Sequence, residues 1–451
     1  MEETPNVQLL LTIRLTQSAA AFYNTADTER LGPQEMVALS HLEVYQTGEA
    51  VLLSNDECSI FNFAEQIFED TMASSTQDVQ LILEGLVFLA SQCLKEIDLQ
   101  ENFCVIQKLG DGGYGSVLMV QDRKTDQKMA LKLLNRNKTT EFAFLMEFSK
   151  SFFLSSHTNI IGSYGTAFKT WDYFAFAQEL SIGDLFSLIT PHDGLPEDTV
   201  KRCAVQISSA LEFIDSKGLV HLDIKPENIL VFDEDCHSIK MTDFGLSCIK
   251  GTMAKTRIGT VSYMAPEMSQ VTDKDCLLVD FPLDVWSFGI VLYCLLTGEF
   301  PWQSAVSTDK AYSSFVEWQC NMKNIEPPLP WSRFPPGALK MFSGLLAIDC
   351  SKRSKSYEVL LFLEECWNQE SIDSSEGSSD DADTTNVSVE FELSKCHQKS
   401  DIWKDAHASP LSNVSYGSIS TTSLLSTISG YLTSDSSEYD SKTPLEDWKD
   451  G

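Results

Sequence analysis

Basic side chains are scarce in this sequence: 33 Lys and Arg stand against 65 Asp and Glu, a formal charge of −32. Binding to a phosphate backbone works by displacing counterions with Lys and Arg, so DNA and RNA are poor expected ligands. Before Lys95 the only basic residues are Arg14 and Arg30. No Cys-x-x-Cys pair occurs among the 12 cysteines, which removes the common zinc and dithiol patterns and predicts reduced thiols. The opening MEETPNVQ is acidic where a secretory leader would be basic and then apolar. The longest apolar stretch, VQLILEGLVFLASQCL from Val79, is interrupted by Glu84 and is too short to span a bilayer. These absences predict a cytoplasmic protein, with the nucleus left open, and no membrane segment.

The 451 residues, 43% of them apolar, suffice for at least one large core and for two or three domains. Composition divides the chain into three. Residues 1–100 read as an acidic, largely helical extension, with Ile60, Phe61, Ala64 and Phe68 at helical spacing after the capping candidates Asn55 and Asp56. An extension packed on the next domain is favoured over an independent binding module. Residues 371–451 are rich in Ser, Thr and Asp, as in SIDSSEGSSDDADTT and TSDSSEYDSKTPLEDW, and are expected to be disordered. Residues 101–366 carry strand-like runs first and helical patterns after them.

The first chemical motif is LGDGGYGSVLMV, from Leu109. Gly110, Gly112 and Gly115 fit G-x-G-x-x-G-x-V, closed by Val117, with Asp111, Gly113, Tyr114 and Ser116 filling the loop. Glycines let a backbone fold closely over phosphates, and Leu109 and Val117 would clamp an adenine. An unliganded hairpin and a dinucleotide-binding turn are the rival readings. The second requires a helix directly after the glycines, whereas SVLMVQD alternates as a strand does.

Lys132 follows on the β-prone run KMALKLL, where its ammonium would neutralise α- and β-phosphates if a helical carboxylate holds it. Glu147 in FLMEFSKSFFL has the motif position for that carboxylate, with Glu141 as a rival. VHLDIKPENILV then supplies a catalytic loop. Asp223 would accept the proton of an attacking hydroxyl, Lys225 would balance charge on the moving phosphoryl group, Asn228 would hold Mg2+ and Leu230 would floor the adenine pocket. In TDFGLS, Asp243 would chelate Mg2+ bridging the phosphates of ATP. A buried acid on a turn is the bland reading of either aspartate alone; their order and spacing together argue against it. GTVSYMAPE resembles the end of a protein kinase activation segment, and that resemblance implies that Thr260 bonds Asp223 and Lys225 and that Arg353 is the ionic partner of Glu267. Asp284 and Trp286 lie on the helix expected to underpin the catalytic loop.

This set resembles the protein kinases throughout residues 101–366, and the Lys in DIKPEN is similar to the serine/threonine rather than the tyrosine branch. The stretches GLPEDTVKRC, VDFPLDVWSFGIVLYCLLTGEFPW, FVEWQ and MFSGLLAID resemble the SH3-binding-domain kinases, a small serine/threonine group. The resemblance implies an α+β, two-lobed kinase fold, ATP and Mg2+ as cofactors, and proteins with Ser or Thr acceptors as substrates. It adds Ala130 and the hinge residues Glu179 and Leu180 to the nucleotide site. The hinge AQELSIGDLF is shorter than the family's, which leaves the gatekeeper open between Ala177 and Gln178. An SH3 partner finds little support, because PPLP at residues 327–330 is the only short polyproline element and lies within the kinase segment.

One position departs from the family. Leu222 stands where an arginine is usual, a residue that in many kinases pairs with a phosphate on the activation loop. Its loss removes a switch and spares the base, so activity without loop phosphorylation is expected. Lys250, Lys255 and Arg257 could supply the missing charge, although a solvated basic face is the reading preferred for them. The alternatives in other classes are a pseudokinase scaffold, which would need a broken catalytic residue, and a small-molecule kinase, which GTVSYMAPE disfavours as a protein-substrate platform.

Overall fold

The run KMALKLLN becomes a strand because its residues alternate: Met129, Leu131 and Leu133 are buried on one face while Ala130 and Lys132 face the other. In the computed structural model, which describes residues 76–368 except 114, 273 and 275, this strand sits inside a six-stranded sheet. Helix α1 (Thr76–Cys93) comes first, followed by β1 (Lys95–Glu96) and the short α2 (Leu99–Asn102). Strands β2 (Phe103–Asp111), β3 (Gly115–Asp122) and β4 (Lys128–Asn135) lead to α3 (Glu141–Leu154), β5 (Ser163–Lys169) and β6 (Tyr173–Gln178). The strand order is β1-β5-β6-β4-β3-β2, antiparallel except where β1 pairs with β5. The sheet therefore begins at Lys95, a little before the motif-based boundary at residue 101.

The second lobe is helical. It opens with β7 (Gly183–Asp184), α4 (Leu185–Leu188) and α5 (Glu197–Ser216), then the short strands β8 (Leu219–Val220), β9 (Ile229–Val231), β10 (Ile239–Met241), β11 (Cys248–Ile249) and β12 (Met253–Ala254). Helix α6 (Pro266–Ser269), β13 (Leu277–Leu278), α7 (Pro282–Thr297), α8 (Lys310–Cys320) and α9 (Pro336–Leu345) complete it. Every residue of α7 from Leu283 to Thr297 is buried, so this helix is the pillar of the lobe rather than an amphipathic cover.

Helix α1 touches both lobes. Val79, Ile82, Leu83 and Leu86 are buried in the large cluster that contains Phe153, Leu154, Ile214 and Leu219. Val87 and Ala90 belong to a second cluster with Phe144, Leu145 and Phe148 of α3. The apolar stretch read from Val79 is thus a packed helix, and no helix among the described residues is long and apolar enough to cross a membrane. The helical pattern around Ile60 to Phe68, the tail from residue 371 and Tyr114 lie outside the described residues.

Candidate active site

The two lobes bring the motif residues to one cleft. Gly115 begins β3 because only glycine fits there: a Cβ would lie 1.7 Å from the carbonyl oxygen of Leu133 on β4. The hairpin tip is closed by a hydrogen bond from the Gly112 N–H to the Gly115 carbonyl at 2.8 Å, and Lys138 Nζ donates to the Gly113 carbonyl at 2.9 Å. Space is open around the Cα atoms of Gly110 and Gly113. Asp111 is spent in a surface pair with Lys108. Ser116 and Val117 are half-buried on β3, with Val117 opposite Lys132, and Leu109 is exposed near the end of β2.

Lys132 Nζ lies 2.7 Å from Glu147 Oε1 and 2.9 Å from Asp243 Oδ1, so the strand, the helix and the activation segment meet at one ammonium. Burial alone would lower the Lys132 pKa, but Asp243 and Glu147 outweigh it and hold the group above the ordinary lysine value. Burial likewise opposes ionisation of Asp243, yet Lys132 pulls its pKa down to about 2. Asp243 has φ of 67°, a left-handed backbone that Asp tolerates better than most residues. Glu141, the rival carboxylate, lies 3.4 Å from Lys169 and takes no part.

The catalytic loop is tied together through Asp223. Its Oδ1 accepts from Thr260 Oγ1 at 2.6 Å, and its Oδ2 accepts from Lys225 Nζ at 2.8 Å and Asn228 Nδ2 at 3.1 Å. Lys225 Nζ also reaches Thr260 Oγ1 at 3.1 Å. Asn228 Nδ2 donates to the Asp223 carbonyl at 2.8 Å, which leaves the amide oxygen as its free donor atom toward a cation. Beneath the loop, Asp284 of α7 accepts from the N–H of His221 at 2.6 Å and of Leu222 at 2.8 Å. Burial drives the Asp284 pKa up to about 7, partly offset by those two N–H groups. Burial also lowers the His221 pKa; its Nε2 lies 3.0 Å from the Thr242 carbonyl, and Nδ1 accepts from the Asp223 N–H. Arg353 pairs with Glu267 at 2.7 and 3.1 Å and stacks over Trp286.

Register decides the gatekeeper. Strand β6 pairs with β4 so that Gln178 opposes Ala130 and Phe176 opposes Lys132, whereas Ala177 opposes Leu131. Directly opposed residues share a face, so Gln178 faces the nucleotide side with Ala130 and Lys132, and Ala177 points into the other core. Gln178 Nε2 donates to Ser151 Oγ of α3 at 3.0 Å. The Glu179 carboxylate is engaged by Lys240 Nζ at 2.6 Å and by the Gly162 N–H at 2.9 Å, and its own N–H donates to the Gly162 carbonyl at 3.0 Å, leaving the Glu179 carbonyl as the part available to a nucleotide. Leu180 and Leu230 are half-buried.

One expectation about charge needs correction. Lys250 is not an unpaired cation on a basic face: its side chain is partly exposed, but its Nζ lies 3.0 Å from Asp215 and 3.1 Å from Asp280. It therefore anchors the activation segment to the lobe and is not free to receive a phosphate, while Lys255 and Arg257 are exposed. The PPLP stretch is a turn, because the Pro328 carbonyl accepts from Trp331 N–H at 2.7 Å and Ser332 N–H at 3.2 Å, bonds that a polyproline helix lacks. Sequence reading passed over Lys150 and Ser151 of α3; their signal was the polar run Ser149–Lys150–Ser151 set between apolar residues of that helix.

Residues 103–362 match the family model described as protein kinase domain. The serine/threonine-protein kinase SBK1 of Danio rerio is 42% identical over 297 residues, which cover 66% of this chain and 77% of the relative. SBK1 of Mus musculus is 43% identical over 288 residues, covering 63% and 68%. The serine/threonine-protein kinase meng-po of Drosophila melanogaster is 36% identical over 273 residues, 59% of each chain. A β-sheet lobe and a helical lobe that meet at Lys132, Glu147 and Asp243, together with these relatives, establish that the chain belongs to the protein kinase family, as a serine/threonine kinase of the SH3-binding-domain kinase group.

Proposed function

We propose that the protein transfers the γ-phosphoryl group of ATP to serine or threonine hydroxyls of proteins, and that its activation segment needs no phosphate to be competent. The observation that carries the first half is the Asp223 network. A carboxylate held by Thr260, Lys225 and Asn228 is fixed in orientation, and its remaining capacity can accept the proton of a substrate hydroxyl as the hydroxyl oxygen forms its bond to phosphorus and the bond to ADP breaks. Lys225 can carry charge on the transferring group, and Lys132 can hold the α- and β-phosphates. Leu109, Val117, Ala130, Leu180 and Leu230 would enclose the adenine. The oxygen of Asn228 and the carboxylate of Asp243 suit Mg2+, a hard cation that takes one or two protein oxygens beside substrate phosphates. When bound, Mg2+ neutralises charge on those phosphates. Lys132, Asp223, Asn228 and Asp243 are all present, which speaks against a scaffold without chemistry.

The backbone supports the second half. β11 pairs with β8, β12 pairs with β13, and the Gly251 and Val279 N–H groups bond across to Val279 and Thr252 carbonyls at 2.8 Å each. With Lys250 clamped between Asp215 and Asp280, the segment from Cys248 to Ala254 is held by protein groups alone. Gly259, at φ of 105°, lets the far end of the segment press on the catalytic loop, since a Cβ there would lie 2.2 Å from the Leu222 carbonyl oxygen. We place this activity in the cytoplasm, in keeping with the free thiols of the described cysteines.

The test is a positional-scanning peptide library with labelled ATP, run on wild type and on Asp223→Asn. Loss of the base should lower turnover by about 10²- to 10⁴-fold while ATP still binds; equal turnover in the two proteins would refute the assignment. The library should show only mild preference for arginine upstream of the acceptor, because burial lifts the Glu227 pKa to about 7 and Cys294 stands where arginine-directed kinases carry a further glutamate. Strict arginine dependence would contradict that reading.

A further inference from the structure

Helix α3 fastens three different elements from one side. Glu147 reaches Lys132 on β4, and Ser151, one turn later, accepts from Gln178 on β6. Between them Lys150, only 7% exposed, places its ammonium 2.5 Å from the carbonyl oxygen of Ser247. Ser247 lies two residues beyond Gly245, the last residue of the Asp243–Phe244–Gly245 turn. Its N–H donates to the Phe244 carbonyl at 3.2 Å and its hydroxyl to the His221 carbonyl at 3.3 Å. One ammonium thus stands a single hydrogen bond from the peptide that leaves the Asp243 turn and two from the catalytic loop.

Keeping a charge inside a protein costs free energy that an apolar residue of like volume would not, so a buried ammonium on a peptide carbonyl calls for a reason in geometry. Leu222 supplies the context. Its side chain is buried in the core and cannot reach for a phosphate, so the catalytic loop offers the activation segment no cation from that position. Lys150 offers one from the opposite side. We propose that Lys150 is a positioning residue for phosphoryl transfer: it pins the Ser247 peptide to α3, so that the helix position closing the Lys132–Glu147 pair and the segment position presenting Asp243 are adopted together. A buried side-chain charge then does what a loop phosphate paired to an arginine does elsewhere.

This inference rests on the phosphate-independent reading above, but the two fail separately: phosphatase treatment of wild type examines that reading, and a Lys150 series measured against untreated wild type examines this one. In the full chain, Lys150→Met keeps the volume and removes the charge. It should lower kcat by about tenfold or more, change the ATP KM by less than about threefold, and leave Tm unchanged or higher, because a buried charge has gone. Lys150→Arg should retain most of the turnover. A Met variant with kcat within about twofold of wild type, or one whose kcat falls only in step with Tm, overturns the proposal. Should Lys150→Met not fold, the alkaline limb decides. Burial lowers the Lys150 pKa, opposed by the Cys248 thiol of the activation segment and by Glu147 on its own helix. Turnover of wild type should therefore fall at alkaline pH before that of Lys150→Arg, and coincident limbs would overturn the proposal.

Discussion

Leu83→Ala separates a helix that merely covers the kinase domain from one that holds it. Leu83 is 1% exposed at the centre of α1, in the cluster with Phe153, Leu154, Ile214 and Leu219, while the next turn of the same helix carries Val87 and Ala90 against Phe144, Leu145 and Phe148 of α3. Truncating a buried leucine costs about 2–5 kcal/mol, the transfer of its methyl groups plus the cavity they leave. Domains of 150–250 residues lose about 2–4 °C of Tm per kcal/mol, so a drop of about 4 °C or more is expected. The consequence reaches the active site because α3 carries Glu147. With α1 loosened, α3 is freer to swing Glu147 off Lys132, and kcat should fall at temperatures where the variant is still fully folded. The assay pairs thermal denaturation with phosphotransfer measured well below the lower Tm. A Tm within about 1 °C of wild type, or a lowered Tm with unchanged kcat, would refute the role of α1 as a support for α3.

Asp284→Asn should destabilise the protein by about 1–3 kcal/mol, because the amide can accept from only one of the two N–H groups of His221 and Leu222 and turns its own NH2 toward the other; chemical denaturation reads this, and an unchanged midpoint would count against the loop support described. The pH dependence follows from Asp243, whose folded pKa of about 2 lies below its ordinary value of 3.8. A depressed pKa contributes stability that is present above the unfolded value and lost as pH falls, so this contribution fades between about pH 4 and pH 2. Asp243→Asn should flatten the stability profile in that window, and an identical acid limb in the variant would contradict the Lys132–Asp243 pairing.

Residues whose chemistry fixes their spacing were legible in the sequence. Lys132, Asp223, Asn228 and Asp243 could be named because a phosphate site needs a lysine, a base and two oxygen donors on short segments of definite order, and Gly115 because it completes the glycine pattern of a phosphate-covering loop; that a Cβ there would meet the Leu133 carbonyl appears only in the folded sheet. What stayed hidden depends on register or on contacts between distant segments. Ala177 and Gln178 are neighbours of unlike chemistry, and only the pairing of β6 with β4 decides which faces the nucleotide. Lys250 read as a surface cation because Asp215 and Asp280 are remote in sequence, and β1 is two residues of unremarkable composition. Lys150 gains its meaning only once Ser247 folds against α3.

An activation segment held by β12–β13 pairing, Lys250 and Lys150 needs no phosphate under the proposed function. A phosphate paired to arginine would supply about 1.5–3 kcal/mol, roughly a tenfold or greater shift in a loop equilibrium. The measurement is the phosphotransfer rate of phosphatase-treated full-length protein against untreated protein, with Thr252→Ala and Thr256→Ala alongside and Asp223→Asn as the blank. The rates should agree within a few-fold and stand far above the blank. A loss of more than about tenfold on phosphatase treatment or in either threonine variant would contradict phosphate independence.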